Sequence, residues 1–205
     1  PEKYAINLYN FILDFIKKSE TRPNAKTGRP VSYKMRREYE ATFTHLKEYC
    51  QNPDYWQDPN RFIDFKDIDL NFYTSFTSYL QSKQLAVNTI GKKIQTLKIF
   101  LNASKEEGIN HYDGFKSKKF VAISEEADTI ALNEKELDAI YKLDLKDDPR
   151  LDKVRDLFLL GCWTGCRFSD LDQIKPENIK EGLLHIRQQK TGNKVVLPLH
   201  PVVNA

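Results

Sequence analysis

Residues 164 to 171 read TGCRFSDL, and they set Arg167 three residues before Asp170, directly after an apolar run that closes on Thr-Gly. A guanidinium stays charged at any working pH and presents a planar fork of donors that matches phosphate oxygens. In this spacing the arginine can pair with the aspartate to serve the fold alone, or be held ready for an anion. Further on, Lys190 stands in the tetrapeptide KTGN between two stretches of alternating apolar and polar residues. Taken alone it reads as a solvated turn lysine. The tripeptide KTG also occurs in serine β-lactamases, but those need Ser-x-x-Lys, and no serine here has lysine three residues later, so that chemistry is excluded.

What could hold such residues follows from composition. With 205 residues, 40% of them hydrophobic and 30% charged, the chain suits one large or two small domains with a real core. It has no apolar run long enough to span a membrane, and its start lacks the features of a secretory signal, which predicts a cytoplasmic protein with no membrane association. Three cysteines without a matched Cys-x-x-Cys pair argue against a disulfide framework or a zinc site. They read as small reduced core residues. The net charge is +3, but residues 1 to 120 hold 20 Lys and Arg against 14 Asp and Glu, while the remainder holds 12 against 15. The basic half is therefore the first, which fits contact with a polyanion there.

The first half reads as helices. Leu8, Phe11, Ile12, Phe15 and Ile16 recur at three- and four-residue steps. Ser32 caps a second helix with Tyr39, Phe43, Leu46 and Cys50 on its inner face, closed by NPDYWQDPN. A third starts near Asp69 and buries Phe72, Phe76 and Leu80. A fourth runs from an Asn88 cap to Gly108 with Ile90, Ile94, Leu97 and Leu101 inside. Together they predict a helical bundle over 1–115. Residues 116–131 lose helical periodicity and read as an interdomain linker. In 132–205, Asn133 and Glu136 approach a capping box, DPRLDKVRDLFLLGCWTG reads as a mostly buried helix ending at Gly165, and GLLHIRQQ and KVVLPL flank KTGN as a β-hairpin turned by Gly192 and Asn193.

At this point LFLLGCWTGCRFSDLDQIKPENI, followed by IRQQKTGNKVVLPL, resembles the start of the catalytic domain of the tyrosine recombinases, or phage integrases. NTIGKKIQTLKIFLNASKEEGI and the helices before it resemble that family's core-binding domain, particularly in integrases of conjugative transposons and other mobile elements. The resemblance implies a mainly α chain with a small β-hairpin or sheet: a SAM-like helical core-binding domain, then the N-terminal part of an α+β catalytic domain. By the same resemblance, Arg167 binds the non-bridging oxygens of the scissile phosphate, Asp170 orients Arg167 through a charge-assisted hydrogen bond, and Lys190 protonates the leaving 5′ oxygen. A lysine suits that task only when its pKa is lowered or its proton is delivered in place. No metal or other cofactor is implied, because arginines supply the electrostatic stabilisation. The partner implied is double-stranded DNA at attachment sites, with tetramers on paired sites when the enzyme is intact.

The family's later motifs, a His-x-x-Arg pair and a nucleophilic tyrosine, have no match. None of the four histidines has arginine three residues on, and all ten tyrosines precede the hairpin. The expectation is therefore a recombinase fragment with an incomplete catalytic domain, which binds DNA without forming a covalent intermediate. For DNA contact the polar side of the fourth helix offers Thr89, Lys92, Lys93 and Lys98, and the start of the second offers Lys34, Arg36 and Arg37. Two other classes compete with this reading. A DNA-binding accessory or regulatory protein with a degenerate recombinase fold would act by occupying a site, and a helical protein-interaction module would have no more DNA affinity than any weakly basic protein.

Overall fold

Capping side chains set most of the helix starts. In the computed structural model, which describes residues 7–23, 28, 30–58 and 60–199, α1 (Leu8–Lys18) follows Asn7, whose side chain accepts the Asn10 amide. Ser32 does the same for Met35 at the start of α2 (Tyr33–Gln51), and Asp69 for Phe72 at the start of α3 (Leu70–Ser82). Each cap satisfies an amide that has no partner within its helix, an effect of about 1 kcal/mol. α4 (Val87–Glu106) departs from expectation: its N-cap is Ala86, with no side-chain bond. Asn88 lies inside the first turn, where its side chain is committed to the backbone of Glu125. Part of the break between α1 and α2, residues 24–27 and 29, lies outside the described residues.

The chain divides into two units, the first ending at Ala127 and the second beginning at Asp128. In the first, the apolar stripes of α1 to α4 meet in one aromatic core. The rings of Phe15, Tyr39 and Phe100 lie within 5.5 Å of one another by centroid, and Tyr49 meets Phe72, Phe76 and Tyr79 edge-on. Burying each such ring contributes roughly 2 kcal/mol. Residues 116–125, which the sequence reads as linker, pack on this unit. Phe120 is 1% exposed beside the equally buried Phe115, and Ile123 packs against the core. The apolar side chains in GFKSKKFVAI supply the contact that a linker lacks.

In the second unit α5 (Glu134–Tyr141) opens with a complete capping box between Asn133 and Glu136. α6 (Pro149–Thr164) starts behind Asp148 with proline at its first position and stops at Gly165, whose φ of +64° is left-handed. A short α7 (Phe168–Leu171) follows. Then β1 (Ile179–Lys180), β2 (Leu183–Arg187) and β3 (Lys194–Pro198) form an antiparallel sheet in chain order, with Leu184 opposite Leu197 and Arg187 opposite Lys194. The expectation of a mostly buried α6 is corrected. Only Leu159 is buried, and Leu151, Val154 and Phe158 are about half exposed. Val154, Phe158, Cys162 and Phe168 instead line an apolar groove of about 500 Å³. The cysteines are all free, but only Cys50 is a core residue, its thiol pushed up to about 11 by burial. Cys166 is half-buried and Cys162 exposed, because both face the groove.

Candidate functional site

The Thr-Gly turn explains how Arg167 reaches the surface. Thr164 donates its hydroxyl to the Leu160 carbonyl and accepts the Cys166 amide, and Gly165 supplies the left-handed residue that ends α6. The chain then reverses into α7. An added Cβ on Gly161 would stand 3.2 Å from a Leu171 methyl, so glycine allows α7 to sit close against α6. Arg167 becomes the residue before the first turn of α7, with its side chain 47% exposed.

Asp170 is buried at 1% exposure and does more than face the arginine. Its Oδ1 accepts the backbone N–H of Gln189 at 2.8 Å, which ties α7 to the turn between β2 and β3 one residue before Lys190. Its Oδ2 lies 3.8 Å from Arg167 Nη1, an ion-pair distance too long for a hydrogen bond. That oxygen has no hydrogen-bond partner among the described residues. The charge-assisted hydrogen bond expected from Arg167 to Asp170 is thus replaced by an ion pair, because the carboxylate's closest donor is the hairpin backbone.

Lys190 is exposed in a turn that is itself well fixed. Gln188 donates its amide to the Asn193 carbonyl and accepts the Gly192 amide on its own, while the Thr191 hydroxyl bonds the Gln188 side chain at 2.7 Å. Gly192 has a φ of +75°, which a side-chain-bearing residue rarely adopts. Arg167 and Lys190 are thus both exposed, on elements joined through one buried carboxylate. Among the described residues there is no cluster of His, Cys, Asp or Glu arranged to hold a metal ion.

On the first unit the seven basic or polar residues expected at DNA separate into two groups. Lys34, Arg37, Thr89 and Lys92 are exposed. Lys93 is not: it is 5% exposed and pairs with Glu38 of α2 at 2.8 Å, while Lys92 lies 3.6 Å from the other oxygen of that carboxylate. Lys98 is half-buried, bonded to the Phe120 carbonyl at 2.9 Å, and Arg36 bonds Glu20 at 3.2 Å. Lys93 and Lys98 therefore hold this unit together, which corrects their placement on an open polar face. Helical arithmetic carried the signal for Lys93, since it falls three residues after Ile90 and four before Leu97, on the buried stripe. Beside it, burial, and then the charge of Lys93, hold the His45 pKa below its ordinary value.

The sequence model of the phage integrase SAM-like domain matches residues 7–121. No curated protein sequence matches the chain. Among solved structures, a lambda integrase tetramer bound to a Holliday junction aligns with a TM-score of 0.68 at 18% identity, covering 100% of this chain and 55% of that one. A lambda integrase dimer bound to a COC′ core site gives 0.67 at 19%, covering 95% and 50%. The Tn1549 transposon integrase in complex with circular intermediate DNA gives 0.64 at 13%, covering 97% and 62%. These likenesses span both described units, and the chain covers about half to three-fifths of the length of those proteins.

Proposed function

The chain belongs to the phage integrase family through its SAM-like domain, and from that premise we propose that it binds duplex DNA as part of a site-specific recombinase. The observation that carries this reading is the family match over residues 7–121. The arrangement of Arg167, Asp170 and Lys190 supports it from the second unit. In the proposed reaction Arg167 holds the non-bridging oxygens of the scissile phosphate, and charge build-up there is met by a guanidinium that needs no reorganisation. Lys190, aimed by the fixed 188–193 turn, donates a proton to the departing 5′ oxygen. Asp170 positions both groups without touching the phosphate.

The partner is double-stranded DNA at an attachment site, and the assembly is a tetramer on paired sites, as in the lambda integrase structure on a Holliday junction. No described helix is long and apolar enough to cross a membrane, and a cytoplasmic location fits work on DNA. The test is fluorescence anisotropy with labelled duplex and single-stranded DNA of equal length at low salt. The reading expects duplex to bind more tightly, and Lys92→Glu to weaken that binding. Equal affinity for both strands, or none for either, overturns it. Lys92 is the residue to change because its side chain is 59% exposed, whereas Lys93 is buried on Glu38 and its replacement would test folding instead.

A further inference from the structure

Asn88 clasps the backbone of Glu125 in both directions: its Nδ2 donates to the Glu125 carbonyl at 3.0 Å, and its Oδ1 accepts the Glu125 N–H at 3.0 Å. The segment leading to this clasp is held at intervals of one or two residues. Phe120 is buried, and its carbonyl accepts from Lys98. The Val121 carbonyl accepts from the Tyr73 hydroxyl at 2.9 Å. Ile123 passes so close to Gly91 that an added Cβ there would stand 1.8 Å from the Ile123 carbonyl oxygen. Contacts at 98, 91 and 88 show the strap running antiparallel to α4, toward its amino end.

That end of α4 carries Thr89 and Lys92, both exposed. Asn88 and Lys92 are one turn apart on the same helical face. The clasp therefore sets the Glu125 backbone against the first turn of α4, one turn before Lys92, with Glu126 next along the strap, and both residues are exposed. Two negative charges stand where the helix would meet a phosphate backbone.

We propose that residues 120–126 form an autoinhibitory strap, whose acidic end competes with DNA phosphates for the amino end of α4. The proposal rests on the reading that α4 contacts DNA. The carboxylate nearest Lys92 is that of Glu38, at 3.6 Å, so the strap's charges act on the duplex itself: they repel phosphates approaching the amino end of α4, and binding shifts the acidic end away or proceeds with reduced affinity.

The test compares two double variants of the whole chain that change net charge equally. Glu125→Gln with Glu126→Gln neutralises the strap, and Glu106→Gln with Glu107→Gln neutralises the opposite end of α4. At low salt the first pair is expected to tighten duplex binding roughly fivefold, an effect that fades as salt screens it, and the second less than about twofold. Asn88→Ala, which frees Glu125, should tighten binding in the same direction and speed hydrogen exchange of the Glu125 amide. Equal effects from both pairs, or none from the strap pair while wild type binds, overturn the strap and leave the DNA reading intact. No binding by wild type or by the strap pair at low salt overturns both.

Discussion

Removing Glu38 should cost the first unit far more stability than removing its partner Lys93. Lys93 is 5% exposed, and its ammonium lies 2.8 Å from Glu38 Oε1, so Glu38→Ala strands a cation in a site closed to water. Breaking a buried pair from one side costs about 3–5 kcal/mol. Glu38 keeps 14% side-chain exposure, which places the expected loss near the lower end, about 3 kcal/mol. For a domain of this size that corresponds to a melting shift on the order of 12 °C. Lys93→Met behaves differently, because Glu38 retains Lys92 at 3.6 Å and the Thr42 hydroxyl at 3.3 Å, and methionine fills the stem's volume. A change within about 1 kcal/mol is expected. Urea unfolding followed by Trp56 fluorescence, in a Trp163→Phe background, reports on the first unit. Equal losses for the two variants, or a Glu38→Ala loss below about 1 kcal/mol, would refute the reasoning.

Other perturbations give equally specific outcomes. Gly91→Ala gains helix propensity but drives a Cβ into the Ile123 backbone, so a net loss of about 1 kcal/mol and faster amide exchange over 121–125 are expected; unchanged exchange contradicts the strap. Asp170→Ala leaves the Gln189 amide without its acceptor and should destabilise the second unit by about 2 kcal/mol, with Asp170→Asn milder because it keeps an acceptor. An unchanged Gln189 exchange rate in the alanine variant would mean the bond does not fix the turn. His45 has a lowered pKa in the fold, so the unfolded chain takes up its proton first as pH falls below about 6.5. The stability it supports is present above that pH and declines below it. His45→Gln should flatten the decline, and an identical pH profile in both proteins would exclude His45 as its source.

The bundle was legible because each helix announces itself twice, by a cap such as Ser32 or Asp69 and by an apolar stripe such as Ile90, Ile94, Leu97 and Leu101. Arg167, Asp170 and Lys190 were legible as residue types in order. Their connection was not, since the bond from Gln189 N–H to Asp170 depends on where a hairpin turn comes to rest. The strap escaped sequence reading for a similar reason: its anchors are backbone carbonyls, one glycine and the side chain of Asn88, none of which produces a period. Asn88 also misled as a cap, because residue type cannot distinguish a side chain that bonds its own helix from one that bonds a neighbouring segment. β1 has two residues, too few to show alternation. α6 read as buried from its composition, whereas burial depends on which of its faces is covered.

The claim that the exposed cations of the first unit meet DNA phosphates is tested most directly by the slope of log affinity against log salt for wild type, Lys92→Ala, Lys34→Ala and Lys93→Met. Each true phosphate contact contributes about 0.9 to that slope for duplex DNA. The account predicts a steep wild-type dependence that flattens by about one unit in Lys92→Ala and in Lys34→Ala, and no change in Lys93→Met. A shallow wild-type slope, or a loss of slope in Lys93→Met with none in the other two, would contradict it.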